Sequence, residues 1–85
     1  MKVKVLFFAS LREQLGTGAL ELELPAGVTT VGALRAHLRA RGGAYESALG
    51  DKRALRMSVN QDMVPPSAPL AAGDEVAFFP PVTGG

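Results

Sequence analysis

The most informative stretch of this sequence is residues 75–85, which run Glu75-Val76-Ala77-Phe78-Phe79-Pro80-Pro81-Val82-Thr83-Gly84-Gly85. Its apolar first half is typical of a β-strand, and the prolines prevent the strand from continuing. Adjacent side chains on a strand point to opposite faces, so the pattern assigns Val76 and Phe78 to the core and Phe79 to the other face. Gly84 and Gly85 have no side chains to pack, so we expect a narrow arm that ends in a free α-carboxylate.

Two interpretations of this arm are open. A terminal Gly-Gly is typical of a frayed end or a truncation scar, because chain ends are commonly disordered. However, Pro80-Pro81 stiffens the exit from the strand, and residues 80–85 span roughly 20 Å when extended at about 3.3 Å per residue. An arm of that length reaches into a pocket of another protein. We therefore divide the chain into a folded domain, residues 1–79, and an extended reactive tail, residues 80–85.

Alternation of apolar and polar residues predicts the other strands. Residues 2–8 alternate, with Val3, Val5 and Phe7 on a mostly buried face, and residues 19–24 alternate strictly between leucine and glutamate. Weaker patterns at residues 55–59 and 63–64 predict a third strand and a short return strand. A short helical turn capped by Ser10 is expected between the first two strands, which should form a hairpin.

The main helix is predicted to begin at Thr29 or Thr30, since either residue suits an N-cap, and to end at Gly42-Gly43. Apolar residues at helical spacing form its buried side. They are Val31, Leu34 and Leu38. The helix also carries a row of arginines that we expect to face solvent. They are Arg35, Arg39 and Arg41.

The order strand, strand, helix, strand, short strand, strand predicts an α+β fold in which one main helix packs on one face of a mixed sheet. This is the ubiquitin-like, or β-grasp, arrangement. A right-handed crossover through the helix is expected to place the third strand parallel to a neighbour. The last strand lies inside the sheet in this fold, so the tail should leave from a rigid anchor.

The composition excludes several classes of protein. A chain of 85 residues with 47% hydrophobic and 20% charged residues is one globular domain. Its net charge of +1 gives no support for binding to nucleic acid or membranes. Cysteine is absent, so disulfides, thiolate nucleophiles and cysteine metal sites are excluded. No apolar run is long enough to span a membrane, and we expect a cytoplasmic protein.

The side chains offer little catalytic chemistry. His37 is the only histidine and has no second ligand for a metal, so we expect no metal site. Two carboxylate pairs, Glu21/Glu23 and Asp74/Glu75, are typical of a solvated strand face and a turn rather than of an acid–base pair. The serines lack a nucleophile-elbow motif, and the glycines fit no phosphate-binding loop. We therefore expect no permanently bound cofactor.

Phe79 has two open interpretations. In the first, it packs into a local cluster beneath Pro80 or Pro81. In the second, it is an exposed aromatic anchor for a partner protein. Met63, on the short return strand, extends the same apolar patch in the second interpretation, because methionine suits adaptable binding surfaces.

Three segments together resemble the small subunit of molybdopterin synthase, and the likeness covers essentially the whole chain. They are residues 5–13, Val59-Asn60-Gln61 and residues 73–85. The resemblance implies a ubiquitin-like sulfur carrier. An E1-like enzyme would adenylate the terminal carboxylate with ATP, and a sulfur donor system would convert it to a thiocarboxylate. The large synthase subunit would accept the tail, pass the sulfur to cyclic pyranopterin monophosphate and supply the catalytic groups, in a heterotetramer with two carriers.

By the same resemblance, Gly85 is the site of adenylation and thiolation and Gly84 is its slender approach. The remaining tail residues and the apolar docking surface would contact the partner. These are Phe79, Met63, Pro80, Pro81, Val82 and Thr83. The loop at residues 65–69 departs from the family pattern because it is unusually rich in proline.

Other functions remain open. A sulfur carrier for thiamine synthesis or tRNA thiolation uses the same tail chemistry, although the Phe-Phe-Pro-Pro block disfavours it. A ubiquitin-like modifier would join Gly85 to lysines. A plain β-grasp binding module would have no chemistry at the tail.

Overall fold

Five strands and three helices make up the part of the chain that the computed structural model describes, residues 1–81. The strands are β1 (Lys2–Phe7), β2 (Ala19–Glu23), β3 (Arg56–Val59), β4 (Asp62–Met63) and β5 (Glu75–Phe79). The helices are α1 (Ser10–Leu15), α2 (Val31–Arg39) and α3 (Ala44–Ala48).

The strands form one mixed sheet in the order β2-β1-β5-β3-β4. The hairpin of β1 and β2, the central position of β5 and the ubiquitin-like α+β fold are confirmed. The prediction that the third strand is parallel to a neighbour is wrong, because β3 is antiparallel to both β4 and β5. β3 does run in the same direction as β2, as a crossover requires. However, β2 and β3 are not neighbours, because β1 and β5 lie between them. The neighbouring strands that run parallel are β1 and β5.

The core lies between one face of this sheet and the helices. Every residue that the sequence assigned to it from β1, α2 and β5 is buried. These are Val3, Val5, Phe7, Val31, Leu34, Leu38, Val76 and Phe78. The rings of Phe7 and Phe78 stack with their centroids 6.2 Å apart, and Tyr45 from α3 meets Phe7 edge-on. The parallel pair of strands is therefore held by aromatic packing as well as by backbone hydrogen bonds.

The two predicted N-caps have different outcomes. At α2 the Ala33 N–H donates to Thr30 Oγ1 at 3.1 Å, so Thr30 is the cap. At α1 the prediction is wrong, because Ser10 is the first helical residue and Ala9 precedes it with φ 53° and no side-chain cap. The Leu11 N–H instead donates to the Phe8 carbonyl, which closes a tight turn. Ala9 thus occupies a left-handed conformation that favours glycine.

Arg35 does not face solvent as predicted. Its guanidinium donates to the carbonyls of Leu49, Gly50 and Arg53 at 2.8, 2.6 and 2.9 Å. These carbonyls follow α3, and the fork of donors on arginine satisfies all three together. Burial lowers the pKa of Arg35 below its usual value. Arg39 is also engaged, since its Nη1 lies 2.8 Å from Asp51 Oδ1.

The proline-rich loop caps the start of α2. The Gly32 N–H donates to the Pro66 carbonyl at 2.8 Å, and the Val31 N–H donates to the Ala68 carbonyl at 3.0 Å. These two N–H groups lie in the first turn of the helix, where they have no partner within the helix. The loop that departs from the family pattern therefore has a structural role.

This contact gives a test of the loop. A methyl group on Gly32 would lie 3.1 Å from the Pro66 carbonyl oxygen. We expect Gly32→Ala to lower the free energy of unfolding by about 1–2 kcal/mol, because strain outweighs the better helix propensity of alanine. Urea unfolding measures this. The control is Gly27→Ala, whose new methyl group would meet nothing within 4 Å. Equal stability of the two variants would contradict the loop's capping role.

Candidate functional site

The side chains that point away from the helices form a surface that we call the open face. Cross-strand partners share a face, so the register defines its members. They are Lys2, Lys4, Leu6, Ala19, Glu21, Glu23, Arg56, Ser58, Met63, Glu75, Ala77 and Phe79. The members fall into two groups, charged at one end of the sheet and mostly apolar at the other.

The charged half lies at the end where β1 and β5 begin. Lys4 has Glu21 opposite it on β2 and Glu75 opposite it on β5. Lys2 Nζ lies 3.9 Å from Glu21 Oε2, and both side chains are exposed. Exposed ion pairs of this kind contribute roughly 0–1 kcal/mol each. Glu23 Oε2 lies 3.2 Å from the α-amino group of Met1. The glutamates of β2 thus lie on a solvated strand face, as the sequence predicted.

The apolar half lies at the end where β5 leaves the sheet. We call it the apolar patch and define it as Leu6, Phe8, Ala77, Phe79 and Met63. The rings of Phe8 and Phe79 meet edge-on with their centroids 6.4 Å apart. Phe8 is 47% exposed and Met63 is 54% exposed, and they are the only exposed large hydrophobic residues in the described part of the chain. A cluster of this kind is typical of a protein-binding surface.

Phe79 is neither fully packed into a local cluster nor fully exposed. The residue is half-buried, and its ring packs against Phe8. Met63 lies on the same face, because Ser58 pairs with Met63 on one side and with Ala77 on the other. Their role in binding a partner stays a prediction.

Phe8 is the site residue that sequence reasoning missed. The sequence prediction included it in the first strand without giving it a role. The signal was present, because alternation along β1 places Phe8 on the side of Lys4 and Leu6, opposite the buried Phe7. β1 ends at Phe7, and the tight turn at Ala9 follows directly after Phe8.

The root of the tail is held on both sides. β5 pairs with β1 and β3 along its length, and the Phe8 N–H donates to the Phe78 carbonyl at 3.2 Å beyond the end of β1. Pro80 and Pro81 follow and are half-buried. The predicted site residues Val82, Thr83, Gly84 and Gly85 lie outside the described residues.

The other end of β5 is fixed by a polar cluster. The Glu75 N–H donates to Asn60 Oδ1 at 3.0 Å, and Asn60 Nδ2 donates to Asp74 Oδ1 at 2.9 Å. Asn60 and Gln61 form the turn between β3 and β4 with φ of 49° and 74°. Two of the segments that carried the family resemblance, Val59-Asn60-Gln61 and Gly73-Asp74-Glu75, therefore meet here and anchor the strand that bears the tail.

The described side chains form no cluster suited to a metal ion. Within residues 1–81, no three His, Asp or Glu side chains are grouped to hold a metal ion. His37 is half-buried on α2. No helix in this same part of the chain is long and apolar enough to cross a membrane.

Comparison with known proteins agrees with this geometry. Residues 5–85 match the model of the ThiS family. The molybdopterin synthase sulfur carrier subunit of Escherichia coli is 52% identical over 83 residues, which cover 98% of this chain and 99% of that protein. SAMP1 of Haloferax volcanii, a small archaeal modifier protein, superimposes with a TM-score of 0.80 at 31% identity over 100% of both chains.

A further solved structure shares the fold. It is a complex of subunits 1 and 2 of the molybdopterin-converting factor from Helicobacter pylori, and the matching chain has a TM-score of 0.69 at 24% identity, with 100% of both chains covered.

In each of the pairs Phe7-Phe8 and Phe78-Phe79, one ring lies in the core and the other on the open face, and this assignment can be tested. Phe78 is fully buried, so Phe78→Ala should lower the free energy of unfolding by about 3–5 kcal/mol. Phe8→Ala removes an exposed ring and one edge-on contact, so the cost should be about 1 kcal/mol. Urea unfolding of both variants measures the difference. A similar loss of unfolding free energy in both variants would mean that the buried and open faces are assigned incorrectly.

Proposed function

The chain belongs to the ThiS family, and from that membership we propose that it is the sulfur carrier subunit of a molybdopterin synthase. The observation that carries the proposal is the 52% identity to the Escherichia coli sulfur carrier subunit over nearly the full length of both chains. The match to the family model extends through residue 85, so it includes the tail as well as the apolar patch.

The proposed chemistry takes place at the carboxyl group of Gly85. A carboxylate is a poor electrophile, so an E1-like enzyme first transfers the adenylyl group of ATP to it and releases pyrophosphate. A sulfur donor system then displaces AMP and leaves a thiocarboxylate. The thiocarboxylate sulfur finally passes to cyclic pyranopterin monophosphate. The chain contributes the reacting carbonyl and its position, while acid–base groups and phosphate binding belong to the partners.

The position of β5 supports this role. A strand held between β1 and β3 is a rigid base, and the prolines after it limit the directions that the tail takes. Residues 80–85 would span roughly 20 Å when extended, which is enough to enter a deep active site. Gly84 would be the narrowest part of the tail and would let Gly85 approach the reacting groups without a side chain in the way.

The proposed main partner is the large subunit of the synthase. The apolar patch lies beside the tail root, so a subunit that covers the patch also receives the tail. We propose that Phe79, Met63 and the tail residues Pro80 to Thr83 contact that subunit, and that two carriers and two large subunits form a heterotetramer. The E1-like enzyme and the sulfur donor system are the other proposed partners, and the proposed compartment is the cytoplasm.

A second candidate function is protein modification. It is favoured by the fold match to SAMP1 of Haloferax volcanii, a small archaeal modifier protein. In this role the activated carboxyl group of Gly85 would form an amide bond with a lysine amine. Both functions begin with the same adenylate and differ in the nucleophile that attacks it.

Intact mass spectrometry separates these functions. After co-expression with an E1-like enzyme and a sulfur source, we expect the chain to gain about 16 Da, because one sulfur replaces one oxygen, and peptide mapping should place this gain at Gly85 rather than at a methionine. Deletion of Gly85 should abolish this gain but leave binding to the large subunit nearly intact, because a terminal glycine buries little surface. An unchanged mass would contradict the sulfur-carrier function, and lysine-linked adducts without a mass gain would favour the modifier.

The docking surface is tested by Phe79→Ala. We expect its affinity for the large synthase subunit to fall by more than about 1 kcal/mol, as for a central aromatic anchor. Isothermal titration calorimetry measures the affinity. Lys4→Ala is the control, because it lies on the same face in the charged half. If Phe79→Ala bound as tightly as the parent chain, Phe79 would be a residue of local packing only.

A further inference from the structure

The sulfur atoms of this chain lie in three different environments. Cysteine is absent, so the methionines carry all the side-chain sulfur. Met57 is 5% exposed in the core, the Met1 side chain is 22% exposed, and Met63 is 54% exposed. Susceptibility of methionine to oxidation follows exposure, so an oxidant in solution should reach Met63 first.

Met63 is also the most accessible member of the apolar patch. It lies on the two-residue strand β4 at the edge of the sheet, opposite Ser58. The next residue in that row is Ala77 on β5. Both of these side chains are short, and more than half of Met63 is exposed in the free chain, at a place where a docked partner would bury it.

We propose that Met63 is a reversible oxidation site, and that its oxidation by a hydroperoxide releases the partner from the apolar patch. The inference rests on the docking surface assigned under the proposed function. In the reaction the sulfur attacks the outer oxygen of the peroxide, the S–O bond forms and the O–O bond breaks. The thioether is oxidised to a sulfoxide by two electrons, and the peroxide is reduced to water or an alcohol.

The structure separates the effect on docking from an effect on folding. Oxidation adds a strong hydrogen-bond acceptor to a side chain that is 54% exposed and lies outside the hydrophobic core, so we expect the fold to lose little stability. A partner that covers the patch would bury that oxygen without a donor, and an unsatisfied buried acceptor costs about 1–3 kcal/mol. We therefore expect docking to weaken by roughly tenfold or more. Methionine sulfoxide reductases reverse the change.

The first experiment tests selectivity. The chain is prepared with Gly85 as a carboxylate, so that it holds no thiocarboxylate sulfur, and is treated with dilute hydrogen peroxide. Peptide mass spectrometry should show the gain of one oxygen, about 16 Da, at Met63 before Met57 and Met1. The melting temperature of the singly oxidised chain should equal that of the untreated chain. Equal oxidation rates at Met57 and Met63 would overturn the inference.

The second experiment tests docking. Peroxide is removed with catalase, and binding to the purified large synthase subunit is measured by calorimetry before oxidation, after oxidation and after treatment with the reductases. Affinity should fall about tenfold or more and then recover. Met63→Leu should bind equally with and without peroxide treatment, whatever its own affinity. The matched control, Met57→Leu, should lose affinity for the large subunit on peroxide treatment, as the parent chain does.

The outcomes separate this inference from the proposed function. If the untreated chain binds the large subunit and the oxidised chain binds equally well, the Met63 inference is wrong and the proposed function stands. If Met63→Leu loses affinity on peroxide treatment, another residue is responsible and the inference is wrong. Failure of the untreated chain to bind overturns both.

Discussion

The insertion of β5 between β1 and β3 is the constraint on which the rest of this structure depends. β1 and β3 each hold one edge of β5, and the Asn60–Asp74 cluster fixes the point where it begins. The stacking of Phe7 on Phe78 binds the parallel pair from the core side. A strand fixed in this way cannot shift its register, because a one-residue slip would exchange buried Phe78 with Phe79. The tail therefore begins at a defined place and in a defined direction.

The same pairing produces the apolar patch. Each of the two Phe-Phe pairs straddles the sheet, so the inner rings complete the core and the outer rings meet on the open face. Core packing on one side thus determines where the apolar patch lies on the other. The charged half of the open face shows the contrast, since its lysines lie opposite glutamates at the other end of the sheet.

Residue periodicity was enough to predict much of this fold. Alternation identified β1 and β2, helical spacing identified α2, and the β-grasp arrangement inferred from them put the final strand inside the sheet. Two of the errors concern interactions between distant segments. The direction of β3 relative to its neighbours depends on which strand lies beside it, and Arg35 is half-buried because carbonyls 14 to 18 residues away need donors. Phe8 was missed because alternation places it on the open face but does not show whether another segment covers that face.

The arrangement also limits how the partners share this chain under the proposed function. The activating enzyme and the synthase would both need the carboxyl group of Gly85, and Phe79, where β5 ends, belongs to the apolar patch. A partner that draws the tail into its active site must lie against that end of the domain. The domain is small, with extents of 38 × 28 × 21 Å, so one such partner leaves no room at the tail root for a second. Activation and sulfur delivery are therefore expected to occur in sequence, with release between them. A surface that must release its partner in each cycle needs moderate rather than maximal affinity, and a patch with few large apolar side chains fits that requirement.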